Sequence, residues 1–185
     1  VYGRTRDIGG LNSTFAEAEK KFQANHFLYY NFGLIKMNSG EYEEAIKHLS
    51  MAVKLKPQML EANYNLARAN LLLGDKFASH SVPWVHAQLE ALKFYEACLK
   101  INDKYEPAYI SIGIISMSKN PPDYITAIDK FNTALKIEPS SKEAMLNIMT
   151  AGYLKKDETL IKKMKKMLAE KYPDDSKVSE IIGLY

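Results

Sequence analysis

Two histidines, His80 and His86, stand six positions apart in a segment that also holds the only tryptophan, Trp84. Imidazoles are metal ligands, and a zinc site needs three or four ligands in a tight geometry. Asp75 or Glu90 could be proposed as a third. A separation of six places the two rings poorly on one helix face, so the expectation is no metal. The histidines then read as half-exposed polar residues beside a packed tryptophan. Cys98 is the one cysteine, which excludes an intramolecular disulfide and any multi-cysteine zinc or iron–sulfur site. It is expected to be an inert core thiol. The sequence holds no G-x-G-x-x-G, G-x-x-x-x-G-K-[ST], H-E-x-x-H or C-x-x-C. These absences point away from an enzyme, and no cofactor is implied.

Charge carries the next question. Lys155, Lys156, Lys162, Lys163, Lys165 and Lys166 form the strongest basic run. Asp157, Glu158 and Glu170 lie among them and no aromatic residues interleave as base-stacking platforms. A solvated helix face is the expectation, with contact to an acidic partner as the minority reading. The whole chain of 185 residues has 25 basic and 22 acidic side chains, too balanced to demand nucleic acid. No apolar run approaches the roughly 18 residues a spanning helix needs, so no membrane insertion is expected. Val1 to Asp7 is not followed by the apolar region of a signal peptide. A chain beginning with Val reads as a processed or excised piece. Asn12-Ser13-Thr14 fits a glycosylation acceptor and Cys98 suits either compartment; a cytoplasmic location is favoured.

The elements that would position any of these residues show themselves as a repeat. Gly33, Ala67, Gly113, Met149 and Gly183 recur at steps of 34, 46, 36 and 34. Pro57, Asp103, Pro139 and Pro173 recur at steps of 46, 36 and 34, and Leu49, Tyr95 and Phe131 keep the same register. Within Tyr29 to Pro57 the apolar residues sit at helical spacing on both sides of Asn38-Ser39-Gly40. Each repeat is therefore a helix pair. Glu41, Glu43 and Glu44 complement the positive end of the second helix, and Pro57 stops it. A helix pair cannot bury its apolar surface alone, so the pairs must stack.

These residues resemble the tetratricopeptide repeat family. Tyr29, Phe32, Gly33, Gly40, Tyr42, Ala45, Leu49, Ala52 and Pro57 carry the resemblance in the first complete repeat. Leu66, Ala67, Gly74, Ala91, Tyr95 and Cys98 carry it in the second. Tyr109, Ile112, Gly113, Ala127, Phe131, Ala134 and Pro139 carry it in the third. The fourth keeps Ile148, Ala151 and Pro173 but has Ile161, Lys165 and Leu168 in strict register, where Leu160, Met164 and Met167 make a better apolar stripe. A slip of one residue in the Lys155-Lys156-Asp157 turn would reconcile them. The expected array is a partial repeat at 11–25, repeats at 26–59, 60–105 with a 12-residue insertion near 76–88, 106–141 and a divergent 142–175, then a further or capping helix at 176–185. Asn12-Ser13 is expected to cap a helix carrying Phe15, Ala18 and Phe22. The fold implied is all-α, a right-handed superhelix of antiparallel helix pairs.

The resemblance implies that the first helices line a concave groove that holds a peptide. The faces of these helices away from their core residues then carry the candidate site. The first repeat offers Phe27, Tyr30, Asn31, Leu34 and Met37. The second offers Glu61, Tyr64, Asn65, Arg68 and Leu71. The third offers Ile110, Ser111, Ile114 and Met117, and the fourth Glu143, Leu146, Thr150 and Tyr153. Asn31 and Asn65 are one step of 34 apart and could bond a peptide backbone, while Leu34, Ile114, Met117 and Leu146 would select apolar side chains. Tyr30, Leu34, Pro107 and Ser111 stand where receptors for chaperone C-termini carry basic and Asn residues, so that subtype is not expected. The insertion 76–88 reads either as a lengthened helix with a packed loop or as a specificity element, with Phe77 and Trp84 as its anchors and His80 and His86 beside them. The function expected is a scaffold or adaptor with a protein or peptide partner. A regulatory or targeting module of a larger protein and self-association through terminal helices are the other readings.

Overall fold

The structure is a computed structural model that describes residues 8–22 and 25–184. Val1 to Asp7, Gln23, Ala24, Tyr185 and the side chains of Ile8, Leu11 and Asn12 lie outside the described residues, and the readings of the chain's first residues and of the glycosylation acceptor lie there with them. Ten helices and no strand occur among the described residues: α1 (Ile8–Lys21), α2 (His26–Asn38), α3 (Tyr42–Leu55), α4 (Leu60–Gly74), α5 (Val82–Ile101), α6 (Glu106–Met117), α7 (Tyr124–Ile137), α8 (Lys142–Lys155), α9 (Glu158–Lys171) and α10 (Ser176–Leu184). None is long and apolar enough to cross a membrane. The chain divides into two compact units, Val1–Ala97 and Cys98–Tyr185, with the division inside α5.

Local chemistry sets the helix starts. Asn25 accepts from the backbone N–H groups of Phe27 and Leu28 at 2.9 and 3.3 Å, capping α2. Asp123, Ser141, Asp157 and Asp175 cap α7, α8, α9 and α10 in the same way. Ser81 Oγ accepts from Trp84 N–H at the start of α5, at 3.4 Å. Gly40 turns the chain from α2 into α3 with φ +76°, a conformation that glycine adopts at no cost.

In the N-terminal unit, α2, α3 and α4 pack around Met37, Ala45, Leu49, Leu66 and Ala69. The second helices bury a strict 4,3-spaced stripe: Ala45, Leu49 and Ala52 on α3, and Ala91, Tyr95 and Cys98 on α5. A Cβ on Gly33 would stand 2.7 Å from Leu49 Cγ, so only glycine permits this approach of α2 to α3. Lys36 is buried, ion-paired to Glu41 at 2.8 Å and lying over the Phe32 ring. Helix α1 docks through Phe15, which stacks on Phe32 at 4.1 Å and meets the edge of His48. Ser13 lies inside α1, where its hydroxyl donates to Gly10 O, so the expected cap at Asn12-Ser13 is corrected: the helix begins earlier. Phe22 follows the helix and is exposed.

The C-terminal unit has one core, in which α6 to α10 gather around Phe131, Met145, Ile148, Met149, Met164 and Leu168. A Cβ on Gly113 would meet the Phe131 ring at 2.4 Å. Helix α9 buries Ile161, Met164 and Leu168, with Leu160 and Met167 half-buried at the edges. No slip is needed: the strict register holds at Ile161 and Leu168, and a 3,4 spacing in place of 4,3 puts Met164 where Lys165 was expected.

Candidate functional site

The face of α2 and α4 that turns away from their packed second helices holds the first half of the candidate residues. Asn31 and Arg68 are exposed, and Tyr30, Leu34, Asn65 and Leu71 are half-buried. The two helices are joined there by a network centred on Asn65. Its Nδ2 donates to Glu61 O at 2.8 Å and to the Tyr30 hydroxyl at 3.3 Å, and its Oδ1 accepts from Arg68 at 3.2 Å. Asn65 is thus held in place: both of its N–H donors are used on Tyr30 and Glu61, while Oδ1, bonded by Arg68, keeps one lone pair for a peptide N–H. Asn31, one repeat earlier, is exposed and makes no such bond. Burial, the nearby Glu61 carboxylate and, in the opposite sense, the Asn65 bond act on Tyr30, with the net result that its pKa lies above the ordinary value and its hydroxyl stays protonated.

Two expected lining residues belong to the core. Met37 packs with Ala45 and Leu49, because it lies on the α2 face that meets α3. Ile110 is 3% exposed within the C-terminal core. Tyr64 is half-buried with its ring 5.5 Å from that of Tyr95 on α5, so it braces the helix pair.

The C-terminal unit has its own face on α6 and α8. Ile114 is 42% exposed there. Met117 and Leu146 are half-buried against the core. The hydroxyls of Ser111 and Thr150 donate to Pro107 O and Leu146 O of their own helices at 2.9 and 3.0 Å, which leaves their oxygen lone pairs for a ligand N–H.

Trp84 and Lys76 both fasten the insertion. Trp84 is buried, and Gly74 packs so closely on α5 that an added Cβ would stand 2.9 Å from Ala87 Cβ. Phe77 is 43% exposed. Lys76 ties the segment back to the preceding repeat: its ammonium donates to Gly40 O at 3.2 Å and lies over the Tyr42 ring. His80 lies against Trp84 with ring centroids 5.0 Å apart, and His86 is exposed. No group of three His, Cys, Asp or Glu that could hold a metal occurs among the described residues. Lys155, Lys156, Lys162, Lys163 and Lys166 are all exposed, and Lys166 pairs with Glu170 at 3.8 Å.

Two features escaped the sequence. Val82, Val85 and Leu89 are 83%, 41% and 60% exposed on α5. Their 3,4 spacing was the signal that could have found them. The buried Lys36 had no such signal beyond its place one turn after Phe32.

Residues 33–74 match a family model described as TPR repeat. No curated protein matches the chain in sequence. Solved structures match it along most of its length. A crystal structure of MamA protein is 22% identical, covers 92% of this chain and 86% of that one, and has a TM-score of 0.74. A thermophilic TPR protein of Thermus thermophilus is 16% identical, covering 93% of this chain and 87% of that one, with a TM-score of 0.71. A tetratricopeptide repeat protein of Parabacteroides merdae is 19% identical, covering 92% of this chain and 62% of that one, with a TM-score of 0.75. At these identities the likeness is one of fold.

Proposed function

We propose that this chain, whose fold is that of tetratricopeptide-repeat proteins, is a non-enzymatic scaffold that binds a peptide segment of a partner protein in its groove. The contact surface is the face of α2 and α4; α6 and α8 of the C-terminal unit carry a face of their own. The observation that carries this reading is the makeup of the first face. Asn31 and Arg68 are exposed polar groups beside half-buried Leu34 and Leu71, which is the mix of a few placed polar groups on apolar ground that peptide recognition uses.

A displayed library of random 12-residue peptides tests it. Peptides enriched on the wild-type protein should bind the double variant Asn31→Arg, Ile114→Glu about tenfold more weakly, equal to ~1.4 kcal/mol. Both positions are exposed, so the variant should keep its helical circular dichroism. Unchanged affinity in a folded variant would contradict the reading.

A second reading, self-association, is favoured by the exposed Val82, Val85 and Leu89 of α5. Light scattering over a concentration range decides it: a strict monomer removes it.

A further inference from the structure

We infer that the turn end of the α8–α9 hairpin docks on an anionic lipid bilayer, with Tyr153 and Leu154 entering the headgroup layer and lysines on both helices holding them there. The inference concerns the C-terminal unit alone and does not depend on the peptide-binding reading.

The positive charge of the chain is concentrated here. Residues 155–166 hold six of the 25 basic side chains and two of the 22 acidic ones, so the remainder carries no positive excess. The two helices gather much of that charge at one end. A Cβ added to Gly152 would lie 3.4 Å from Ile161 Cγ1 and from Leu160 Cβ, so the last turn of α8 packs on the first turn of α9. Tyr153, Leu154, Lys155 and Lys156 therefore stand near Lys162 and Lys163, which are about 6–8 Å along α9 from its start. All four lysines are exposed, and none makes an ion pair among the described residues. Lys156 is the most telling of them. It holds φ 60°, where glycine would cost nothing, and its side chain makes no bond among the described residues to offset the strain. A lysine there does nothing for the fold and leaves its charge for something outside the chain.

The residue types select a bilayer over an acidic protein or a nucleic acid. All six basic residues are lysines, ammonium point charges without the guanidinium fork that suits one fixed carboxylate or phosphate. No large apolar residue of α9 is exposed, so an acidic peptide would gain only solvent-screened ion pairs along that helix. No aromatic residue interleaves with the lysines of α9 as a base-stacking platform. Tyr153 and Leu154, by contrast, are 55% and 49% exposed at the same end of the hairpin. An aromatic and an aliphatic side chain beside a lysine cluster suit the boundary between headgroups and acyl chains, and the two signals add where either alone is marginal. No helix is long and apolar enough to cross, so the contact is peripheral. Asp157 is engaged in capping α9, accepting from Leu160 N–H at 3.0 Å. Glu158 is exposed and opposes docking, which gives the surface a diagnostic of the opposite sign.

Co-sedimentation of the whole chain with phosphatidylcholine vesicles, with and without phosphatidylserine, tests the inference. Binding should require phosphatidylserine and weaken as salt is raised. Lys162→Gln and Lys163→Gln should each weaken it about fivefold, and Glu158→Gln should strengthen it. Leu154→Ser, at an exposed position, should weaken it while the helical circular dichroism stays unchanged. Lys156→Gly should weaken binding while raising the unfolding midpoint, which separates lost docking from lost folding. Polyglutamate and duplex DNA at matched charge should displace the protein from the vesicles only weakly. Absence of binding to the anionic vesicles, or equal binding to the neutral ones, would overturn the inference. So would unchanged binding in the lysine variants or in Leu154→Ser. Polyglutamate or DNA that competes as well as further vesicles would overturn it in favour of an acidic protein or a nucleic acid.

Discussion

The Asn65 side-chain amide donates to the Tyr30 hydroxyl at 3.3 Å, tying α4 to α2 across 35 residues. Neither residue is in the core, yet each fixes the other. The bond sets the spacing of two exposed helix faces that sequence alone presents as separate. A peptide meeting these faces finds polar groups already in place, which lowers the entropy cost of binding.

Close helix approach depends on two glycines that have no room to change. Gly33→Ala and Gly113→Ala place a Cβ 2.7 Å from Leu49 Cγ and 2.4 Å from the Phe131 ring. Each should cost about 1–3 kcal/mol, with Gly113→Ala the worse because an aromatic ring cannot fold aside. Chemical denaturation should show the loss as a lower midpoint.

Helix α1 should make stability depend on pH near neutrality. His48 lies against Phe15 and Phe32, and its pKa is lowered, chiefly by burial. Glu44 and Glu19 act in the opposite sense, while Lys47 and Lys36 add to the lowering. The unfolded chain therefore takes up the proton first as pH falls below 6.5, and stability is lost on acidification from there through the folded pKa. The slope from this group is at most about 1.4 kcal/mol per pH unit. Denaturation at pH 7.5 and 5.5 should show the loss in the wild type and less of it in His48→Gln.

The Lys36–Glu41 pair should respond asymmetrically. Glu41→Gln leaves a buried ammonium without its anion and should cost about 2–3 kcal/mol, less than a fully buried pair because Glu41 is 35% exposed. Lys36→Met keeps the volume and frees Glu41 toward water, so it should cost less. The order of the two denaturation midpoints checks it.

Lys156 ends α8 with φ 60°, in the left-handed region that favours glycine. Lys156→Gly should raise stability by about 1 kcal/mol, measured as an upward shift in the unfolding midpoint.

The helix pairs were legible because burial repeats. Leu49, Tyr95 and Phe131 are all buried in one register, and Leu49 and Phe131 each lie against a glycine one helix earlier, a pattern that survives insertions. Helix starts were partly legible, as at Ser81, where a capping side chain precedes an apolar run. Ser13 misled because a hydroxyl within a helix can bond a carbonyl one turn back as well as cap. The candidate faces were less legible. A period of 3.6 assigns Met37 and Ile110 to a side of their helix, but how far the neighbouring helix reaches around that side depends on its side chains. The role of Asn65 was hidden for a related reason: its partners Tyr30, Glu61 and Arg68 come together only when α2 and α4 stack. Lys76 adds a tie between the insertion and the preceding repeat because its long stem reaches Gly40 and Tyr42, a contact that no spacing encodes.

The most direct test of a peptide-binding groove is an amide hydrogen-exchange footprint. The protein is saturated with a peptide enriched from the library, and protection is mapped along the chain. Added protection in α2 and α4, centred on 30–34 and 64–71, is the predicted result. Protection confined to α5 around 82–89 or to α9, with α2 and α4 unchanged, would contradict the account.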